Sequence, residues 1–186
     1  MNTNTTANLL QPLTIANAPA ASKPIMEGIQ KSFGFIPNLM ATFAHSPEML
    51  KGYLALDAEW DKTPFTPQER NFAVLAASLE NECGYCVAAH STVAKTFQKV
   101  PAETVAAIRA GKPTGDKKTD ALITLVRELV SKRGHASRAT IDNFLAVGFA
   151  KTQVMELLMA VALKTISNYL DHINPVPLDA AFASEK

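Results

Sequence analysis

The chain has 186 residues, of which 18 are basic, 17 are acidic and 47% are hydrophobic. This near balance of charge excludes the strongly basic surface of nucleic-acid-binding proteins, so we expect no nucleic acid among the partners. The N-terminal sequence MNTNTTANLL lacks the pattern of a secretory signal, and the longest apolar stretch, 154–166, is interrupted by Glu156 and Lys164. We therefore expect a cytoplasmic protein that does not enter a membrane.

Helix start and stop signals recur along the whole chain, whereas the alternation typical of strands does not. The clearest start is TPQE at 66–69, in which Thr66 can cap, Pro67 suits the first helical position and Glu69 can complete a capping box. These signals predict an all-α fold, a single compact domain of about eight helices. The helices are expected over 22–34, 46–60, 66–80, 85–97, 101–110, 120–132, 137–147 and 151–169.

The two cysteines of the chain, Cys83 and Cys86, are three residues apart. Such a pair cannot close a long loop, and it is typical of redox chemistry or metal binding. On a helix this spacing places both side chains on one face with His90, four residues beyond Cys86. The thiolate is the nucleophilic form of cysteine, and a helix N-terminus or a nearby imidazolium favours it. The segment 83–90 therefore predicts a nucleophilic thiol with a second thiol and a histidine beside it.

Three other interpretations of this segment are open. The cysteines can be small buried hydrophobic residues, and His90 can be a core histidine without a chemical role. Alternatively, Cys83, Cys86 and His90 can be three ligands of a structural zinc ion, which needs a fourth ligand from a distant histidine or another subunit. We assign no metal ligand from the sequence.

The stretch TPQERNFAVLAASLENECGYCVAAH, residues 66–90, resembles the carboxymuconolactone decarboxylase superfamily, and within it the AhpD-like alkylhydroperoxidases and peroxidase-related proteins. The signature of that branch is C-x-x-C-x-x-x-H at the opening of a helix, which Cys83, Cys86 and His90 match in type and spacing. Similar segments at 35–38, 166–169 and 177–179 extend the resemblance over about residues 25–180.

The resemblance implies that residues 1–186 form one AhpD-like helical bundle. Its parts would be an N-terminal arm (1–20), N-terminal helices (22–65), a dithiol helical core (66–112), C-terminal helices (116–172) and a tail (173–186). Proteins of this branch assemble as trimers or hexamers, so we expect a homo-oligomer.

The resemblance also implies a thiol-dependent peroxidase or disulfide reductase in antioxidant defence. By the pattern of the family, Cys86 attacks a small peroxide, Cys83 resolves the sulfenic acid as a disulfide, and His90 activates Cys86. The sequence contains no flavin or dinucleotide motif, so we expect no cofactor and an external thiol or dithiol as the electron donor.

One position departs from the family pattern. The alkylhydroperoxidases carry a glutamate twelve residues before the first cysteine, in a proton relay with the histidine, and Asn71 occupies that position here. An amide cannot take up a proton at neutral pH, so a nearby glutamate is needed if the relay is kept. The candidates are Glu69, Glu80 and Glu82, of which we include Glu80 in the predicted catalytic site.

Two other functional hypotheses accompany the peroxidase. The superfamily contains decarboxylases of small lactone acids, although these do not rely on a C-x-x-C pair. The other hypothesis is a non-catalytic oligomeric module whose cysteines bind metal or sense oxidation.

Overall fold

Nine α-helices and no strand make up residues 9–186, the part of the chain that the computed structural model describes. The all-α fold expected from the sequence is thus confirmed. Residues 1–8, which belong to the predicted N-terminal arm, lie outside the described range. The helices are α1 (Lys23–Phe33), α2 (Asn38–Phe43), α3 (Pro47–Trp60), α4 (Pro67–Glu80), α5 (Gly84–Thr92), α6 (Ala102–Arg109), α7 (Lys117–Ser131), α8 (Arg138–Ala146) and α9 (Lys151–Ile173). A π-helical turn, Val93–Phe97, continues α5, and a 3₁₀ segment spans Ala180–Glu185.

Local capping signals explain the best-predicted boundaries. At the start of α4, Glu69 N–H donates to Thr66 Oγ1 at 3.1 Å, and Thr66 N–H donates to a Glu69 carboxylate oxygen at 2.8 Å. This confirms the capping box. Gly34 ends α1 in a left-handed conformation, with φ of 81°, that glycine adopts without steric cost.

Three elements differ from the sequence prediction. The six-residue helix α2 was not predicted, because it is too short to show a helical period. The N-terminus of α7 lies at Lys117 rather than 120, since the Asp116 carboxylate accepts hydrogen bonds from the backbone N–H groups of Lys118 and Thr119. The last helix continues past Tyr169 to Ile173, and Pro175 follows shortly after its end.

Helix α4 lies at the centre of the fold and packs against α5, α7 and α9. Its residues from Asn71 to Ser78 are all buried, as expected for a helix that has neighbours on several sides. The chain leaves α4 through Glu82, whose φ of 58° turns the backbone sharply before α5 begins. Helix α5 is thereby held between α4, α9 and the C-terminal residues.

The longest helix, α9, has 23 residues. No single helix among residues 9–186 has both the length and the apolar composition needed to cross a membrane. Helices α8 and α9 meet those requirements only when they are taken together, and the pair is bent by 114°.

Candidate active site

The two thiols lie in the first turn of α5. Cys83 is the N-cap of this helix, and its Sγ accepts a hydrogen bond from the backbone N–H of Cys86 at 3.3 Å. Both cysteines are free thiols, and their exposed fractions are only 0% and 2%. The helix N-terminus that the sequence predicted near Cys83 is therefore present, with both sulfurs within reach of its backbone dipole.

Three side chains of α9 contact Cys83, Cys86 and His90, the predicted site residues at the N-cap and along the length of α5. The pairs are Cys83 with Asp171 (Sγ to Oδ2, 3.3 Å), Cys86 with Ser167 (Sγ to Oγ, 3.8 Å) and His90 with Lys164 (Nε2 to Nζ, 2.9 Å). We call these contacts the α5–α9 pairs. The partners on α9 are three and four residues apart, so they share one face, and the two helices run in opposite directions at this contact.

The α5–α9 pairs give the two sulfurs different electrostatic surroundings. A hydrogen bond to Cys86 and burial raise the pKa of Cys83, and the carboxylate of Asp171 adds to the effect. The hydrogen bond from Cys83 lowers the pKa of Cys86 despite its burial, and the positive charge of Lys164 lowers it further. Capping alone would favour a thiolate at Cys83, but the hydrogen bond between the two thiols, together with Lys164 and Ser167 of α9, favours it at Cys86.

His90 is held at both ring nitrogens. The Asn71 amide nitrogen donates to the His90 carbonyl oxygen at 3.0 Å, so its amide oxygen faces Nδ1 of the ring at 2.9 Å. Because an amide oxygen only accepts, Nδ1 carries the proton and Nε2 accepts from Lys164. Burial and the charge of Lys164 hold the pKa of His90 well below its usual value. Within residues 9–186, His90 makes no hydrogen bond to either sulfur.

Lys164 is a site residue that the sequence analysis did not identify. Its side chain is buried, with an exposed fraction of 3%. Burial opposes its charge, but the neighbouring Tyr53, Cys86 and Asp57 raise the pKa of Lys164, so the ammonium form persists. One signal was present in the sequence, because Lys164 interrupts the apolar stretch 154–166, and lysine is rarely buried without a partner.

Glu80, predicted as a catalytic residue, is not brought to the sulfurs. It is exposed at the end of α4, and its carboxylate lies 4.0 Å from Nε of Arg127 on α7. The side chain thus points towards α7, away from α5, which corrects its inclusion in the site. The other candidates are also placed elsewhere: Glu69 caps α4 and pairs with Lys118 at 2.8 Å, and Glu82 is exposed.

The zinc interpretation finds no support in these contacts. In the described part of the chain, no group of three or more His, Cys, Asp and Glu side chains is placed to hold a metal ion. His90 is already engaged at Nδ1 by Asn71 and at Nε2 by Lys164, so a zinc ion would have to displace one of them.

A cavity of about 540 Å³ leads to Cys86. Its wall includes Cys86, His90 and Lys164, whereas Cys83 does not take part in it. A small molecule in this cavity therefore meets one sulfur and not the other. Most of the remaining wall is apolar, and its aromatic residues are Phe33, Phe35, Tyr53, Trp60, Tyr85, Phe97 and Phe182.

The C-terminal residues close one side of the cavity. We call residues 175–186 the C-terminal strap. Its Asp179 accepts a hydrogen bond of 2.6 Å from the hydroxyl of Tyr85, the residue between the two cysteines. Phe182 packs edge-on against the Tyr85 ring, with centroids 6.0 Å apart. Glu185 is buried and pairs with Lys95 at 2.6 Å, which fastens the strap beyond the cavity.

Comparison with known proteins places this site in a family context. Residues 47–122 match the model of the carboxymuconolactone decarboxylase family. This segment contains Cys83, Cys86 and His90, but it ends before α9, which supplies Lys164 and Asp171. No curated protein matches the chain.

Several solved structures share the fold at low sequence identity. A peroxidase-related protein from Ralstonia eutropha JMP134, described as an alkylhydroperoxidase AhpD core, has a TM-score of 0.82 and 22% identity, with 95% of this chain and 96% of that chain covered. A peroxidase-related protein from Silicibacter sp. TM1040 has a TM-score of 0.82 and 15% identity, with 98% of each chain covered. The debrominase Bmp8 has a TM-score of 0.77 and 20% identity, with 95% of each chain covered.

These findings confirm the family resemblance of the dithiol segment. The fold is that of AhpD-like peroxidase-related proteins along nearly its whole length. Residues 47–122 thus match the carboxymuconolactone decarboxylase family, while the rest of the chain shares only the fold with these solved structures.

Proposed function

We propose that this protein is a thiol-dependent peroxidase that reduces a small organic or hydrogen peroxide and is then reduced by an external thiol or dithiol. The observation that carries the proposal is the unequal placement of the sulfurs. Cys86 lines the cavity, has a lowered pKa and lies beside Cys83, which does not line the cavity and has a raised pKa. This arrangement suits a Cys86 thiolate that attacks the peroxide and a Cys83 thiol that reacts only after the sulfenic acid has formed.

The proposed cycle has three steps. The Cys86 thiolate attacks the terminal oxygen of the peroxide, so an S–O bond forms, the O–O bond breaks and the alkoxide or hydroxide takes a proton from water. The Cys83 thiol then attacks the sulfenic sulfur of Cys86, so a disulfide forms and its proton leaves with the hydroxyl group as water. The external dithiol finally reduces the disulfide, becoming a disulfide itself.

Peroxide consumption in the presence of a dithiol tests the proposal. We expect Cys86→Ser to abolish turnover. When the dithiol is left out, we expect Cys83→Ser to consume one equivalent of peroxide and to leave a sulfenic acid that a sulfenic-acid-specific reagent traps. Titration of free thiols in the native protein should fall from two to none after peroxide is added. Unchanged turnover in Cys86→Ser, or two thiols that survive excess peroxide, would contradict the proposal.

Reductive dehalogenation of an aromatic compound is a second candidate. The aromatic wall of the cavity favours it, and a debrominase shares the fold. In that reaction the dithiol would supply two electrons, the ring carbon would gain a proton, and halide would leave as the disulfide forms. The debrominase has also been solved with 2,3,4-tribromopyrrole bound, and halide release from that compound together with loss of both thiols would support this candidate. Consumption of a lactone acid with both thiols intact would instead support the decarboxylase.

We also propose that the chain forms a homo-oligomer, a trimer or hexamer. The outer face of α9 exposes several large apolar side chains, which are typical of a surface that another subunit covers. These residues are Met155, Leu158, Tyr169 and Ile173. Light scattering would give the mass of the particle, and a monomer at micromolar concentration would contradict this proposal.

A further inference from the structure

The buried cation of the site is Lys164, and its surroundings are unusual for a lysine. An ammonium group removed from water is costly unless other groups compensate for it. Here the ammonium donates to Nε2 of His90 at 2.9 Å, and the charge of Asp57 on α3 acts on it favourably. A lysine held in this way has a fixed direction as well as a fixed charge.

His90 is poorly suited to the role of the base that removes the Cys86 proton. Its Nδ1 carries a proton that is donated to Asn71, and the lone pair of Nε2 is taken by the Lys164 ammonium. A neutral histidine in this state neither accepts a further proton readily nor supplies a positive charge to a thiolate. Asn71 and His90 together instead form a chain of hydrogen bonds that ends on the ammonium.

The α5–α9 pairs place that ammonium close to Cys86. Lys164 is one turn from Ser167 on α9, and Ser167 Oγ lies 3.8 Å from Cys86 Sγ. His90 is likewise one turn from Cys86 on α5, and it contacts Lys164. Because the helices run in opposite directions, the ammonium and the sulfur are neighbours along the same contact, about one helical turn apart.

Other charged groups near Cys86 and Lys164 do not supply a positive charge that would stabilise a thiolate at Cys86. Asp57 from α3 and Asp171 from α9 are acidic and disfavour a thiolate, as does a second thiolate at Cys83. Apart from Lys164, the cation among the described residues that line the cavity is Arg70 from α4. The Nε atom of Arg70 is engaged by a carboxylate oxygen of Asp61 at 3.1 Å.

We propose that Lys164 is the electrostatic partner that keeps Cys86 as a thiolate, and that His90 and Asn71 are positioning residues that aim its ammonium group. The inference rests on the proposed function in taking Cys86 as the attacking sulfur. It gives the histidine of the C-x-x-C-x-x-x-H segment a structural task in this chain. The lowered pKa of Cys86, to which the charge of Lys164 contributes after the hydrogen bond from Cys83, agrees with it.

The test is a pH titration of the single thiolate by ultraviolet absorbance, with all variants made in a Cys83→Ser background. We expect Lys164→Met to raise the midpoint by about 1–3 pH units, the range for loss of one opposite charge at this separation. Lys164→Arg should keep a low midpoint, because it keeps the charge. Lys151→Met, which removes an exposed lysine from the same helix, is the matched control and should change nothing.

The His90→Gln variant distinguishes a His90 that positions Lys164 from a His90 that activates Cys86 directly. If His90 positions Lys164, the variant raises the midpoint less than Lys164→Met, and adding it to Lys164→Met has no further effect. If the thiolate midpoint rises in His90→Gln but is unchanged in Lys164→Met, the inference is overturned and His90 is the activating group. Should Lys164→Met not yield folded protein, Lys164→Gln provides the same loss of charge with a side chain that still donates to His90.

This experiment is independent of the proposed reaction, because no peroxide is added. A low midpoint that depends on Lys164 in a protein that does not consume peroxide would contradict the peroxidase and support the inference. Peroxide turnover together with a thiolate midpoint that does not change in Lys164→Met would support the peroxidase and contradict the inference.

Discussion

The Oδ2 atom of Asp171 lies 3.3 Å from the Sγ atom of Cys83, so the sulfur that caps α5 faces a carboxylate. A neighbouring negative charge favours the protonated thiol. A resolving cysteine benefits from this, because it must keep its proton until the sulfenic acid has formed next to it. The same carboxylate accepts a hydrogen bond of 2.9 Å from the backbone of Val176, so it also fixes the start of the C-terminal strap.

Asp171→Asn removes this negative charge while keeping an acceptor for Val176. In a Cys86→Ser background we expect Cys83 to be alkylated at neutral pH about tenfold faster, which corresponds to a pKa lower by about one unit. Alkylation followed by mass spectrometry measures the rate. Asp142→Asn, at an exposed position of α8, is the control. Equal rates in the Asp171 variant and its parent would show that the carboxylate does not hold the proton on Cys83.

The half-buried, neutral His90 makes stability depend on pH. Its pKa in the folded chain is depressed by burial and by Lys164, whereas an unfolded histidine has a pKa of about 6.5. Between these values the unfolded chain binds more protons, so this contribution is complete above pH of about 6.5 and is lost as the pH falls towards the folded pKa. The loss is at most about 1.4 kcal/mol per pH unit.

Urea unfolding at a series of pH values below neutrality measures that slope. We expect His90→Asn to unfold with a shallower dependence on pH than the native chain, although it is less stable at neutral pH. His135→Asn, which replaces an exposed histidine, should retain the native slope. A native slope in the His90 variant would mean that His90 is not the group that titrates.

Phe182 of the C-terminal strap lines the cavity that leads to Cys86, and we predict that it limits the size of molecules that reach the sulfur. Its ring packs against Phe35 and Tyr85 with centroid separations of 5.9 and 6.0 Å. We expect Phe182→Ala to lower the free energy of unfolding by about 3 kcal/mol. It should also increase the rate at which a bulky maleimide, relative to iodoacetamide, alkylates Cys86.

Two further variants give this prediction its controls. Glu185→Gln weakens the ion pairs with Lys95 and Arg109, so it should change the ratio of the two alkylation rates in the same direction. Phe97→Ala truncates an aromatic residue at the cavity wall that is 72% exposed, and it should have little effect on stability. A ratio unchanged in Phe182→Ala would show that the strap does not restrict access.

Asn71→Asp places a carboxylate against Nδ1 of His90, where the family pattern has a glutamate. Because the new charge favours the imidazolium, we expect the pKa of His90 to rise by about 1–3 units. Nuclear magnetic resonance of the imidazole protons measures it. Asn143→Asp, at an exposed position of α8, should leave the pKa unchanged. If His90 does not respond to Asn71→Asp, the contact between the two side chains is not the one described.

Helix boundaries with their own capping residues were predictable from the sequence. The box formed by Thr66 and Glu69 involves four consecutive residues, so its signal lies in the local sequence. The short α2 carries no comparable signal, and the last turn of α9 is tied to distant parts of the chain through the contacts of Asp171 with Cys83 and Val176. The contact of Glu80 with Arg127 carries no local signal either, since the sequence spacing of Glu80 from Cys83 does not fix which neighbouring helix it faces.

By itself, the sequence determined that two thiols and His90 share one region of a helix that begins near Cys83, because spacings of three and four residues act within one turn. Only the tertiary structure decided which sulfur lines the cavity and which charge each one meets. Lys164 is 74 residues from His90, and Asp171 is 88 residues from Cys83. The packing of α9 against α5 brings these groups into contact, and no local pattern encodes a contact over such a separation.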